Sequence, residues 1–294
     1  MNILIFLFIF ILGTLIGSFL NVVIYRFNSG KSIAKGRSIC MSCNHTLRFY
    51  ELVPIFSYLI QAGKCRRCSS RISHQYPIVE AFTGLVFAGV VFHFLPLLSL
   101  SLISYVVLVS VFFVLFSLLI VIAVYDMRHK IIPDTLSYAY AGITLASLFI
   151  NYSFIGSVFV VPPLALLLAG PLLASPFALI WLISRGRWMG LGDAKLMIGI
   201  GWMLGLSQGI AALILAFWSG AIVSLIMMAL HRRKITAKTE IPFAPFLILG
   251  VLNKYYNDGP QYYCKIIFQL LTILIVVDII WIAITLPYWN SSSK

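Results

Sequence analysis

Acidic side chains are almost missing from this sequence. Its 294 residues hold eight of them: Glu51, Glu80, Asp126, Asp134, Asp193, Glu240, Asp258 and Asp278. Charged residues of both signs reach only 10%, against 61% apolar, and the mean hydropathy is +1.03. Soluble domains carry roughly a quarter charged residues, so a surface wetted on all sides is excluded and the bilayer is the expected solvent. Also missing is the alternation of apolar and polar residues that a membrane barrel needs. The apolar runs are instead about 20 residues long, the length of a helical span whose backbone groups pair internally. The first run, 2–25, has neither a basic leader nor a small-residue cleavage site, so it is expected to be a retained span. No internal repeat is visible, and low complexity is confined to residues 290–294.

What is present is organised by those runs. Apolar stretches at 2–25, 78–95, 99–125, 135–152, 158–183, 194–206, 208–230, 243–256 and 265–288 are expected spans; the sixth and eighth are short for the purpose. Pro162, Pro163, Pro171 and Pro176 predict a kinked fifth span. The formal charge is +13, and eighteen of the twenty-one Lys and Arg residues fall in four groups: 26–71, 128–130, 185–195 and 232–238. Alternating the spans puts all four groups on one side, and the opposite loops are nearly uncharged. The positive-inside bias makes that side the cytoplasm. The basic charge therefore reports topology, and nucleic acid is not an expected partner.

The only sizeable polar segment, 26–77, is too short to be stabilised by a core alone. It contains "CMSC" (Cys40, Cys43) and "CRRC" (Cys65, Cys68), with 21 residues between the pairs. Two C-x2-C pairs on one loop supply four thiolates for a tetrahedral, closed, structural zinc site. On a cytoplasmic loop this outweighs two disulfides, because thiols there stay reduced. Lys64, Arg66 and Arg67 are expected to favour the thiolates, and His45 and His74 are read as surface residues outside the ligand set. Cys264 stands alone.

Asp126 ends the third span in "VYDMRHKIIPDTL" and Asp193 begins the sixth in "GLGDAKL". Both fall at the cytoplasmic boundary, where ionisable groups are expensive and are functional candidates. Two adjacent carboxyl groups do not both ionise easily; one keeps its proton while the other activates water. Gly190 and Gly192 remove bulk beside Asp193 and would admit a second backbone. Plainer roles compete: Asp193 as a helix N-cap, Asp126 as an interfacial partner of Arg128 or Lys130, Asp134 as the N-cap after Pro133. Spacing alone leaves Asp126 and Asp134 both open as the partner of Asp193. Glu80 lies about one turn inside the second span and needs a polar partner. Asp258 in "NDGP" reads as a turn residue and Glu240 as solvated. Asp278 is the deepest acid.

Five ordered motifs resemble the type IV prepilin peptidases: "GSFLNVVIYR" (17–26), "LVPIFSYLIQAGKCRRCSSRISHQYPIVE" (52–80), "DMRHKIIPD" (126–134), "GLGDAKL" (190–196) and "IPFAPFLILG" (241–250). The resemblance implies that Asp126 and Asp193 are the catalytic pair of a GxGD-type membrane aspartyl protease, with Gly190, Gly192, Lys195 and Asp134 in supporting places. It implies cleavage of a basic leader from prepilins and pseudopilins at the cytoplasmic face of the bacterial inner membrane. It further implies methylation of the new N-terminus from S-adenosylmethionine, an activity associated with Gly17, Ser18, Asn21 and the cysteine loop. The family's late block usually reads P-F-G-P-F, and Ala244 stands here in the place of its glycine.

The expected fold is therefore an all-α polytopic membrane protein of about eight to nine spans, with a small cytoplasmic zinc-binding loop domain. Its expected parts are a first span (1–25), the tetra-cysteine segment (26–77), the protease core (78–256) and an additional span and tail (257–294). Two rivals remain at this level. A proton-coupled transporter would place acids near the midplane, and a scaffold would use the zinc loop without catalysis.

Overall fold

The computed structural model describes residues 3–151, 158–159, 161–230 and 242–257. The expectations for Glu240, Asp258, Cys264, Asp278, the basic run 232–238 and the span 265–288 fall outside the described residues. Regular structure is helical: α1 (Ile3–Arg26), the short α2 (Phe56–Ile60), α3 (Gln75–Leu98), α4 (Leu102–His129), α5 (Asp134–Leu148), α6 (Leu164–Ser184), α7 (Leu191–Leu230) and α8 (Ala244–Asn257). A two-residue antiparallel pairing joins Ile150–Asn151 to Val158–Phe159.

Five of these helices, α1, α3, α4, α6 and α7, are long and apolar enough to cross a membrane. The expected eight to nine spans are not reproduced at that criterion among the described residues. Helix α5 stops at Leu148 and has 15 residues; at about 1.5 Å per residue it is shorter than the roughly 30 Å hydrocarbon layer. Helix α8, with 14 residues, is short for the same reason. The runs 194–206 and 208–230 both lie in α7, which is broken where Gly205 adopts φ 76° and ψ 175°. Glycine reaches that conformation without a Cβ penalty, so the break sits where the two apolar runs meet.

The chain forms two compact units, Met1–Val91 and Phe92–Lys294. In the first, α1 and α3 approach almost backbone to backbone. A Cβ on Gly13 would come within 2.6 Å of the Gly84 Cα, and one on Gly17 within 2.8 Å of the Glu80 Cα. This small-residue spacing of four is how helices associate where hydrophobic burial gives no net drive. Glu80 finds the partner its depth demands: its carboxylate accepts the Ile55 N–H at 2.7 Å and a bond from Ser18. Ile55 has φ 60°, costly for a β-branched residue, so Glu80 ties down a strained turn just before α2. The buried Asn21 donates to the Tyr76 carbonyl at 3.2 Å. The Arg26 guanidinium, at the end of α1, reaches the carbonyls of Ser32 (2.8 Å), Lys35 (2.9 Å) and Arg37 (3.1 Å) and folds the start of the polar segment around itself.

In the second unit, α7 lies against α5, α6 and α8, and α4 packs against α5 and α8. Glycines again set the distances. A Cβ on Gly201 would lie 2.6 Å from both the Ala169 carbonyl and the Gly170 Cα, and one on Gly199 would strike the fully buried ring of Tyr140. The two prolines inside α6 each free a carbonyl four residues earlier. Trp202 Nε1 donates to the Leu167 carbonyl at 2.9 Å, and the Ser175 hydroxyl donates to that of Leu172 at 2.8 Å. Both freed carbonyls are satisfied inside the protein, as an apolar solvent requires.

Candidate active site and cysteine cluster

The cysteine segment is built from two turns of the same design. The Cys40 N–H donates to the His45 carbonyl and the Asn44 N–H returns to the Cys40 carbonyl, both at 2.9 Å. Cys65, Ser69 and Ser70 repeat these bonds at the same 2.9 Å. Asn44 and Ser69 occupy equivalent left-handed positions, φ 54° and 55°. Each turn is closed by an antiparallel bridge, Ile39 with Thr46 and Lys64 with Arg71. The sulfurs of Cys40, Cys43, Cys65 and Cys68 all lie within 4.8 Å of one another, and none is in a disulfide. Four convergent thiols of this kind suit a tetrahedral Zn2+, which with four protein ligands supplies structural cross-linking and no open catalytic position.

Partial burial of Cys40 works against its ionisation, but the N–H groups of Cys43 and Ser42, with Ser70 and Cys65, outweigh it and hold the thiol down to about 6. Ser70 likewise lowers Cys68. Cys43 receives a helping bond from the His45 backbone, yet burial and the neighbouring sulfurs of Cys68 and Cys40 push it up to about 11. Without a cation the quartet does not ionise together. The expected role for the neighbouring basic residues is not what lowers these thiols. Arg66 lies 5.2 Å over the Tyr50 ring and Arg67 reaches His45 at 3.3 Å, so backbone N–H groups and Ser70 do the work instead. Neither His45 nor His74 belongs to the cluster.

The carboxylates are positioned by helix ends. Asp126 lies one turn before the end of α4, where Lys130 takes a left-handed conformation and its N–H caps the Asp126 carbonyl at 2.7 Å. Its side chain is 5% exposed. One oxygen, Oδ2, accepts the backbone N–H of Ala244 at 3.2 Å. This buried bond replaces the interfacial pairing with Arg128 or Lys130 that spacing had left open. Asp193 is the third residue of α7, which starts at Leu191, so it is in the first turn and not at the N-cap. Its carboxyl group is close enough to that of Asp126 to feel its charge.

Asp134 goes elsewhere. Pro133 occupies the N-cap of α5 and Asp134 is its first residue, so the N-cap role expected for it is not observed. Its carboxylate meets Lys195 Nζ at 2.8 Å and is 60% exposed. Lys195 also lies 5.2 Å over the Tyr138 ring. Gly192 does admit a close neighbour: a Cβ there would sit 2.8 Å from the Ile132 Cβ, on the link between α4 and α5. At Gly190 a Cβ would meet nothing nearer than 3.9 Å, so crowding gives no reason for that glycine. Residues 126, 132, 134, 193, 195 and 244 thus draw together the ends of α4, α5, α7 and α8. Sequence reasoning missed Ile132 and the Ala244 N–H; the one available signal for the latter was a small residue directly before Pro245.

Comparison with known proteins agrees with this division of the chain. Residues 11–94 match the bacterial peptidase A24 N-terminal domain, and residues 113–225 match the type IV leader peptidase family. A prepilin leader peptidase/N-methyltransferase of Bacillus subtilis is 33% identical over 256 residues, covering 85% of this chain and 94% of the relative. One from Burkholderia pseudomallei is 30% identical over 291 residues, with 87% and 86% covered. A third, from Pseudomonas aeruginosa, is 29% identical over 279 residues, with 84% and 89% covered. No solved structure matches the chain. With such identity sustained over nearly the whole of two relatives, the chain belongs to the prepilin leader peptidase/N-methyltransferase family.

Proposed function

We propose that this multi-pass membrane enzyme removes the basic leader of type IV prepilins and pseudopilins at the cytoplasmic face of the bacterial inner membrane, and then methylates the new N-terminus. The observation that carries the peptidase reading is the meeting of Asp126 and Asp193, 67 residues apart in sequence, within reach of each other's charge. Two carboxyl groups in one partly buried site divide the labour of peptide hydrolysis. One takes a proton from water as the water attacks the scissile carbonyl. The other, protonated, donates to the carbonyl oxygen and then to the departing amine. The helix ends around them limit bulk water and so strengthen each charge interaction. The ion pair of Lys195 with Asp134 holds the start of α5 to the start of α7, and Gly192 lets the α4–α5 link lie against the turn that carries Asp193.

The transporter reading is not favoured, since the acids gather where helices end and the relatives are named as peptidases. A structural zinc on Cys40, Cys43, Cys65 and Cys68 would fix the polar segment. The buried polar groups of the first unit, Thr14, Asn21, Glu51, Glu80 and Thr83, are engaged by the chain's own backbone. Among the described residues they form no ready-made cradle for S-adenosylmethionine, and family membership alone supports the methyl transfer. Purified enzyme incubated with a prepilin and S-adenosylmethionine, followed by mass spectrometry, tests both activities: leader loss and a gained methyl group are expected. An intact prepilin would refute the peptidase, and a cleaved, unmethylated product the transferase.

A further inference from the structure

We infer that the backbone N–H of Ala244 is the group that positions the Asp126 carboxylate for peptide hydrolysis, and that helix α8 is placed to deliver it. The inference rests on the aspartate pair proposed above and names what orients one of its members.

A helix begins with N–H groups that have no intrahelical partner. At the start of α8 their number is cut down. Pro245 has no N–H, and those of Phe246 and Leu247 both donate to the Phe243 carbonyl at 3.1 Å. The Ala244 N–H remains, and it is aimed at Asp126 Oδ2 at 3.2 Å. Ala244 is fully buried, and the residues that follow it as far as Leu252 are buried too. An N–H buried this deeply is costly to leave unpaired. One donor thus meets one carboxylate oxygen, with the positive end of a helix behind it.

The donor is also held rigidly. The Phe243 ring lies 5.1 Å from Phe217 and 6.2 Å from Phe177. Farther along α8, Gly250 abuts the Ala212 carbonyl so closely that a side chain would not fit. Tyr256 stacks on Phe116 of α4 at 6.4 Å, tying α8 to the helix that carries Asp126. With Oδ2 engaged, rotation of the carboxylate is arrested and Oδ1 is the oxygen that meets the water. The block 241–250 then has a chemical reason to combine a small residue with an adjacent proline. The small residue lets the backbone reach the acid, and the proline removes a competing donor.

Ala244→Pro deletes the N–H at a helix position that accepts proline and sets a ring carbon where the hydrogen pointed at Asp126, so the carboxylate is both released and displaced. With enzyme in excess over a fluorescent prepilin peptide, single-turnover traces separate rate from active fraction. Positioning predicts full amplitude with a rate constant lowered about 10- to 100-fold, the range for losing a bond to a charged group. Ala244→Gly, which retains the N–H, should recover most of that rate. A purely structural cap would instead lower the amplitude at the parent rate, and that result overturns the inference. Asp126→Ala is run beside them. If it cleaves at the parent rate, the aspartate pair itself fails; if it is inert while Ala244→Pro keeps the parent rate, only the positioning role fails. Should Ala244→Pro not fold, the amide resonance of Ala244 in alanine-15N-labelled enzyme decides. It is assigned by its loss in Ala244→Gly, and it must shift on Asp126→Ala. An unmoved resonance overturns the inference.

Discussion

Replacing Gly192 by alanine adds one methyl group, and it should disable the enzyme without unfolding it. The new Cβ would stand 2.8 Å from the Ile132 Cβ, whereas carbon atoms are comfortable at about 3.5–4.0 Å. Roughly 0.9 Å has to open between them. Ile132 gains nothing by changing rotamer, because the atom struck is its Cβ, fixed to the backbone. The start of α7 or the α4–α5 link must therefore move. Overpacking of this kind costs about 1–3 kcal/mol, which a helical bundle can absorb. Catalysis is less tolerant: a displacement of about 1 Å between reacting groups costs on the order of 100-fold in rate. The assay is leader cleavage from a purified prepilin in detergent or nanodiscs, with thermal unfolding measured alongside. Ile132→Gly removes the opposing Cβ, so the Gly192→Ala/Ile132→Gly double variant should recover most of the lost activity. A double-mutant cycle would then give a coupling well outside additive behaviour. Gly192→Ala at the parent rate, or a double variant no better than the single, would refute the steric argument.

Other expectations can be checked in the same system. Asp126→Asn and Asp193→Asn should each abolish leader cleavage while leaving protein level in membranes unchanged; normal processing by either would remove the catalytic pair. Zinc content, read by a chromogenic chelator, should be lost in Cys40→Ser/Cys65→Ser. It should also fall as acid is added, because protons compete with the metal for the four thiolates. Retention at neutral pH and release in acid is the expected order; release on the alkaline side would contradict it. Trp202→Phe leaves the carbonyl freed by Pro171 unpaired and should lower stability by about 1–3 kcal/mol. Pro171→Ala, which restores an N–H four residues on, should offset part of that loss in a thermal melt. Lys195→Met breaks a pair whose acid is 60% exposed, so its stability cost should not exceed about 1 kcal/mol.

Much of the architecture was legible because membrane solvation acts on local composition. Apolar runs identify helices where they occur, and prolines mark where a helix needs outside help. The runs 194–206 and 208–230 were legible as separate segments because Gly205 breaks the helix there. The limit was length: the run 135–152 is apolar enough to suggest a span, yet its helix closes at Leu148. The cysteine pairs were legible for a related reason. Each C-x2-C turn is closed by bonds spanning only a few residues, so sequence spacing nearly fixes its geometry.

The partners of the acids were another matter. Residues 126, 134 and 193 all stood at the ends of apolar runs, and hydropathy ranks such positions alike. Helix packing separates them: it buries Asp126 under the start of α8, brings Asp193 within reach of its charge, and leaves Asp134 to Lys195. The donor on Asp126 is a main-chain N–H, which every residue except proline possesses, so no letter of the sequence marks it. By itself the sequence determined which segments are apolar helices and which thiols converge, because those depend on neighbours along the chain. Only the tertiary structure decided which helix ends meet, because that depends on glycine-set distances between segments far apart in sequence.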